Sequence, residues 1–161
     1  MRQIMHDKHP VIAQLLSTTD NGILVAFKRG VREGSYMDAL IESVRLSRRA
    51  SVSLSDFEIK ILAFVGYVFA MHKLHTDEDV SIGMAFGKIC ESESSERYFN
   101  WLVKMSREDM LERLRRVVDM LSQKRVPINY YRLFDDIKYW ANDWEVGSKQ
   151  YGWVKDFYYF K

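Results

Sequence analysis

Among the residues of this chain whose types and spacing point to chemistry with a partner, the basic side chains stand out, and their chemistry is phosphate binding. Arg97, Lys104, Arg107, Arg115 and Arg116 fall within the run RYFNWLVKMSREDMLERLRRVV. A guanidinium on a rigid element matches phosphate oxygens with its planar fork. Acids in the run neutralise only part of this charge. Asp109 precedes Arg113 by four residues and Glu112 precedes Arg116 by four, the favoured orientation for a helical pair. Arg107 and Arg115 have no acid so placed, which predicts two spare guanidinium groups. Lys28, Arg29 and Arg32 form a second basic knot. Each group has a plainer reading. The first is a solvated helix face, which charge patterning alone favours. The second is a helix end stabilised by cations near its dipole, and local chemistry does not separate that from binding.

Other chemistries find less support. His72 and His75 lie three apart beside Asp77-Glu78-Asp79, a composition compatible with metal ligation. Imidazoles are favourable at a helix C-terminus in any case, and the acid run lacks the glycine and distal Glu of a calcium loop. His6 and His9, near the terminus, carry less weight still. The sequence shows no Gly-rich phosphate loop, no Cys/His ligand set, no nucleophile elbow and no paired carboxylates in an acid–base context. The expectation is therefore no metal, no cofactor and no enzymatic activity.

Helices must position the basic groups. Only 2 prolines and 8 glycines punctuate 161 residues, and long alternating β-branched runs are missing, which predicts an all-α fold. Ser106, with Asp109 three residues on, has capping-box spacing. Met110, Leu114, Val117, Val118 and Leu121 then recur at helical period, so one stripe is buried. Upstream, Val11 to Leu16 reads as a first helix and about Gly22 to Lys28 as a second, with Gly30 and Gly34 as stop signals. Ser35 with Asp38 opens a third, to about Leu46, followed by a loop holding Arg45, Arg48 and Arg49. Ser55 with Glu58 makes a capping box for a helix to about Leu74. That helix is apolar all round and so buried all round; it is the expected centre of the fold, with Gly66 allowing a close crossing. Ser81 begins a helix through Cys90. The polar run Glu91 to Glu96 reads as a linker, and Arg97 to about Val103 as the helix beyond it. Asn129 caps a helix bearing Leu133, Ile137 and Trp140, and an aromatic-rich segment ends the chain. The architecture expected is a bundle of roughly eight to nine helices in two small lobes, residues 1–91 and 92–161, or one compact domain.

Composition agrees with a folded chain: 47% hydrophobic and 29% charged is not the signature of disorder. A net charge of +2 does not by itself imply nucleic acid, so any such reading rests on how charge is distributed. Cys90 is the only cysteine, which excludes an intrachain disulfide and fits a reducing compartment. Asp7, His9 and Pro10 interrupt the N-terminus before a signal-like apolar region. The apolar run around Ile61 to Met71 is far short of the roughly 20 residues a bilayer requires. A cytoplasmic location with no membrane contact is expected.

The run from Leu102 to Val118 resembles the CasB family, the small subunits of the type I-E CRISPR Cascade surveillance complex. That family carries a basic residue two after a Leu, an Arg three further on, then a Leu-Arg-Arg triplet; here these are Lys104, Arg107 and Leu114-Arg115-Arg116. Ser81-Ile82-Gly83 is similar to the family's helix start. Asn21-Gly22 is similar to its turn before a helix ending in paired arginines, with Lys28-Arg29 in those places and a preceding family tryptophan absent. A tryptophan at Trp140 and the pair Asp156-Phe157 also match. The likeness runs from about Ala13 onward and is strongest between Ser81 and Trp140.

The resemblance implies an all-helical, non-catalytic subunit, present with a second copy of itself and touching the backbone and large subunits. It also implies contact with crRNA and target DNA, and a part in holding the R-loop. Sequence in such complexes is read by base pairing, so the protein needs only backbone contacts, for which Lys28, Arg29, Arg32, Arg97, Lys104, Arg107, Arg115 and Arg116 are the candidates. Two other readings compete. One is a helical protein-interaction module with solvated cations. The other is a stand-alone helix-turn-helix protein with the Ser106 helix in a major groove; Glu108, Asp109 and Glu112 near that helix start would face phosphates and weigh against it.

Overall fold

The computed structural model describes residues 9–32, 36–141 and 145–161. Among them the chain forms nine α-helices and no strand beyond one isolated bridge between His75 and Ile128. No helix is long and apolar enough to cross a membrane among the described residues. The chain divides into two compact units, Met1–Lys73 and Leu74–Lys161.

The first unit holds α1 (Pro10–Leu16), α2 (Asn21–Arg32), α3 (Tyr36–Arg49) and α4 (Asp56–His72). The Ser55 side chain accepts from Glu58 N at 3.2 Å while Glu58 Oε1 accepts from Ser55 N at 3.2 Å, the reciprocal capping box the sequence announces. Every residue from Ile61 to Ala70 is buried. The helix stops at Lys73, which takes the left-handed conformation at φ 61. Gly66 is where Phe27 of α2 lies against α4: a Cβ there would sit 2.5 Å from the ring. Two boundaries differ from expectation. Gly30 does not stop α2, which continues to Arg32; a Cβ on Gly30 would meet the Ala39 Cβ at 2.4 Å, so this glycine serves a close α2–α3 approach. Arg45, Arg48 and Arg49 belong to α3 and not to a loop, and Arg45 pairs with Glu42 at 2.8 Å. Ser35, the expected cap of α3, and His6 lie outside the described residues.

The second unit holds α5 (Ile82–Ile89), α6 (Glu93–Leu102), α7 (Arg107–Gln123), α8 (Tyr130–Lys138) and α9 (Lys149–Phe160). The run read as a linker is the start of α6. Ser92 caps it by accepting from Ser95 N at 3.1 Å, so the polarity of ESESSE is N-cap chemistry. Helix α5, counted with the first lobe on sequence, packs on α9 and belongs to the unit Leu74–Lys161. Phe86, Phe99 and Phe157 form the aromatic centre, with Phe99 and Phe157 stacked at 4.5 Å and Phe86 within 5.8 Å of both. Trp140 and Trp153 meet edge-on at 4.9 Å beside them.

Candidate nucleic-acid interface

Helix α7 carries most of the candidate cations, and its cap and stripe set their directions. Ser106 Oγ accepts from Asp109 N at 3.3 Å, and Met110, Leu114, Val117, Val118 and Leu121 are all buried. With that face turned inward, Arg115 and Arg116 are exposed. Arg115 pairs with no acid among the described residues.

The neighbouring arginines are not held as the four-residue spacing predicts. No ion pair joins Asp109 to Arg113 or Glu112 to Arg116 among the described residues; Arg113 meets Glu112 only at 3.8 Å. The guanidinium groups lie over rings of α6 instead. Arg113 Cζ is 4.8 Å from the centre of Trp101, and Arg116 Cζ is 4.7 Å from the centre of Tyr98. Such cation–π contacts favour Arg and keep its donors free at the edge. Tyr98 Oη donates to Arg113 O at 2.7 Å, tying the two helices together. Burial raises the Tyr98 pKa, and Arg116 and Arg113 oppose that rise. Tyr98, Glu112, Arg113, Arg115, Arg116 and Asp119 line one open cleft of about 240 Å³.

Arg107 is not spare. Its Nε donates to Ile137 O at 2.8 Å, and Nη2 donates to Lys138 O and Trp140 O at 3.0 Å each. It therefore closes the C-terminal end of α8, where unpaired carbonyls and the negative end of the helix dipole favour a cation. Arg107→Ala is expected to cost about 2 kcal/mol in urea unfolding, because charged hydrogen bonds to three carbonyls are lost. A loss below about 0.5 kcal/mol would mean that water replaces the guanidinium without penalty.

The remaining candidates are more loosely placed. Arg97 is exposed on α6. Lys104 is exposed just after it, at the rim of an apolar pocket of about 300 Å³ lined also by Asn100, Val103, Tyr151 and Val154. Lys28 is half-buried and Arg29 exposed on α2, in the other unit. Arg32 ends that helix, and its side chain lies outside the description.

Sequence reasoning missed Arg132, a cation of the second unit held by three acids. It meets Asp79 at 3.0 Å, Asp156 at 3.1 Å and Asp136 at 3.4 Å. Burial disfavours its charge, yet Asp136, Asp79 and Asp156 outweigh that and hold its pKa above the ordinary value. Ser81 Oγ, which caps α5, also donates to Asp156 at 2.7 Å. The one signal in the sequence was the four-residue spacing of Arg132 and Asp136; the other partners come from distant positions. His75 is occupied within the chain as well: Nε2 lies 2.9 Å from Asp77 Oδ1, and Nδ1 accepts from Tyr130 N at 3.3 Å.

Comparison with known proteins bears on what this basic, ring-supported face belongs to. No curated protein matches the chain in sequence. Two crystal structures resemble it in fold. CasB from Thermus thermophilus superposes with a TM-score of 0.71 at 21% identity, covering 95% of this chain and 97% of that one. A CRISPR-associated protein of the Cse2 family, also from Thermus thermophilus, gives a TM-score of 0.73 at 20% identity over the same shares. The sequence model of the CRISPR-associated protein Cse2 family matches residues 27–158, a span that takes in α3 to α8 whole and nearly all of α9. Helical order, capped starts and the Leu-Arg-Arg face of α7 thus coincide with a sequence match over most of the chain, which belongs to the CRISPR-associated Cse2 family.

Proposed function

We propose that this chain is the non-catalytic small subunit of a Cascade-type, RNA-guided surveillance complex, where it holds the sugar-phosphate backbone of an opened target. The observation that carries this reading is the family match over residues 27–158, and the outward charge of α7 supports it. Its partners are then the backbone and large subunits, a second copy of itself, crRNA and target DNA. Opening a target exchanges one duplex for another of similar stability, so small backbone contributions tip the balance. Arg115 and Arg116, with Arg97 and Lys104, supply such contacts in the second unit; Lys28, Arg29 and Arg32 supply them in the first. Arg107 would have to release the end of α8 to join them.

The tagged chain, purified from its host, should bring down a multisubunit particle containing a short RNA. Recovery as a free chain, with neither RNA nor partners, overturns the proposal and leaves the helical interaction module. Within the particle, Arg115→Ala should weaken retention of all target sequences equally and lower the salt slope of binding by about 0.7–0.9, the value for one phosphate contact. An unchanged slope would move the phosphate track off α7, to Lys28 and Arg29.

A further inference from the structure

Trp101 places a large ring at the surface, outside the core of the second unit. It is 47% exposed, on the side of α6 away from the buried Phe99 and Leu102. Its ring is nonetheless held in place. Arg113 lies over it at 4.8 Å, Tyr98 stands one turn earlier with ring centres 5.7 Å apart, and Arg116 lies over Tyr98. The two rings of α6, tilted 57° to one another, each form a rung with a guanidinium of α7, so the indole plane is fixed before any ligand arrives. Preorganised aromatic surface of this kind binds with little ordering cost.

The charge around the rungs selects the ligand. Arg113, Arg115 and Arg116 share the cleft with Glu112 and Asp119, so it is only weakly positive, enough for a phosphate or two but not for a longer row of them. A neutral base, flanked by the phosphates of its own strand, fits that balance better. The base must be unpaired, because in a duplex both of its faces are already stacked. We infer that Trp101 is a base-stacking site for a single-stranded nucleic acid, with one base continuing the Arg113–Trp101 stack and Arg115 and Arg116 meeting the neighbouring phosphates. This rests on the backbone-holding role proposed above and adds to it a contact with a base.

The test compares two oligonucleotides of equal length, oligo-dT and an abasic deoxyribose-phosphate strand, on the full chain. A backbone track alone binds both equally. Stacking makes oligo-dT bind about tenfold more tightly, within the range of one base–aromatic stack, and quenches tryptophan emission only with oligo-dT. Trp140 and Trp153 are buried; the signal of Trp144 is separated from that of Trp101 by Trp101→Leu, which should abolish the quench. It should also weaken oligo-dT about tenfold with abasic binding unchanged, while Trp101→Phe recovers much of the loss. Equal binding of both strands by the parent chain, with the same salt slope, overturns the stack but leaves the backbone reading standing. Equal weakening of both strands in Trp101→Leu also overturns it, since the ring would then act only by placing Arg113. Binding of neither strand overturns the stack, while the backbone reading is decided by target retention within the particle. The comparison on the parent chain needs no variant to fold.

Discussion

Gly83→Ala lowers the thermal midpoint of the second unit by about 10 °C or more. A Cβ at Gly83 would stand 2.1 Å from Trp153 O and 2.7 Å from both its Cα and its carbonyl carbon. All three are backbone atoms, so no side chain can swing aside. Either α5 and α9 separate by about an ångström, or one of them bends; overpacking of this kind costs about 3 kcal/mol or more where the backbone is the obstacle. Separation also loosens the Phe86–Phe157 stack one turn further along. Gly87, whose added Cβ would meet Phe157 O at 2.5 Å, repeats the constraint. Gly152 provides the control. It lies on α9 with nothing among the described residues within 4 Å of an added Cβ, so Gly152→Ala should leave stability unchanged or raise it by up to about 1 kcal/mol through helix propensity. Every tryptophan in the chain lies beyond position 100, so intrinsic fluorescence reports this unit selectively. Equal melting of the two alanine variants would show that α5 and α9 do not approach this closely.

Asp136 yields the other large effect, through a contrast between two substitutions. The side chain is 1% exposed. Its Oδ2 accepts from Trp153 Nε1 at 2.7 Å and faces Arg132 at 3.4 Å. Among the described residues its Oδ1 has no hydrogen-bond partner, and Lys149 stands 3.6 Å away. Burial pushes the Asp136 pKa up, and Arg132, the Trp153 hydrogen bond and Lys149 only partly offset it. Asp136→Ala leaves the Trp153 indole and a mostly buried guanidinium short of an acceptor, a loss of about 3–5 kcal/mol. Asp136→Asn keeps an oxygen for Trp153, and Arg132 retains Asp79 and Asp156, so it should stay within about 1 kcal/mol of the parent. The pH dependence follows from the direction of the shift. A carboxyl whose pKa is higher folded than unfolded takes up its proton first in the folded state, so its contribution grows as pH falls. The parent should therefore gain on the non-titrating Asn variant as pH drops from the raised folded pKa to the ordinary value near 3.8. Urea unfolding of both proteins across that window measures it. A parent that loses ground as pH falls would show that pairing outweighs burial.

What the sequence revealed was whatever depends on neighbours along the chain. The Ser55–Glu58 box, the all-round burial of α4 from Ile61 to Ala70, the stripe of α7 and the Ser81 and Asn129 caps all follow from positions within a few residues of one another. Each is present. The extent of α2 was misjudged because Gly30 reads locally as a breaker, whereas its role is set by Ala39 on another helix. Glu91 to Glu96 read as a spacer because serines and acids serve a linker and a helix start alike. The candidate site divides the same way. Outward charge at Arg115 and Arg116 was visible in the period of the apolar stripe. That Arg113 and Arg116 would choose rings of α6 over acids on their own helix was not, and neither was the use of Arg107 at the end of α8. Both choices depend on which helices become neighbours, and intrahelical spacing carries no record of that.

The pairing of α5 with α9 also sets an order of events during synthesis. Contacts of the first unit are complete once Lys73 has been made, and that unit is free to fold early from local helices. The second cannot. Helix α5 must wait for α9, the last helix of the chain, before Gly83 and Gly87 find the backbone they fit. Until then Phe86 and Phe99 lack the ring of Phe157 that closes over them. A nascent chain stalled before residue 149 would thus carry a folded first half and an exposed aromatic cluster behind it, the kind of surface that chaperones bind and that drives aggregation. The last twelve-residue helix is therefore the piece whose arrival commits the whole second unit to its fold.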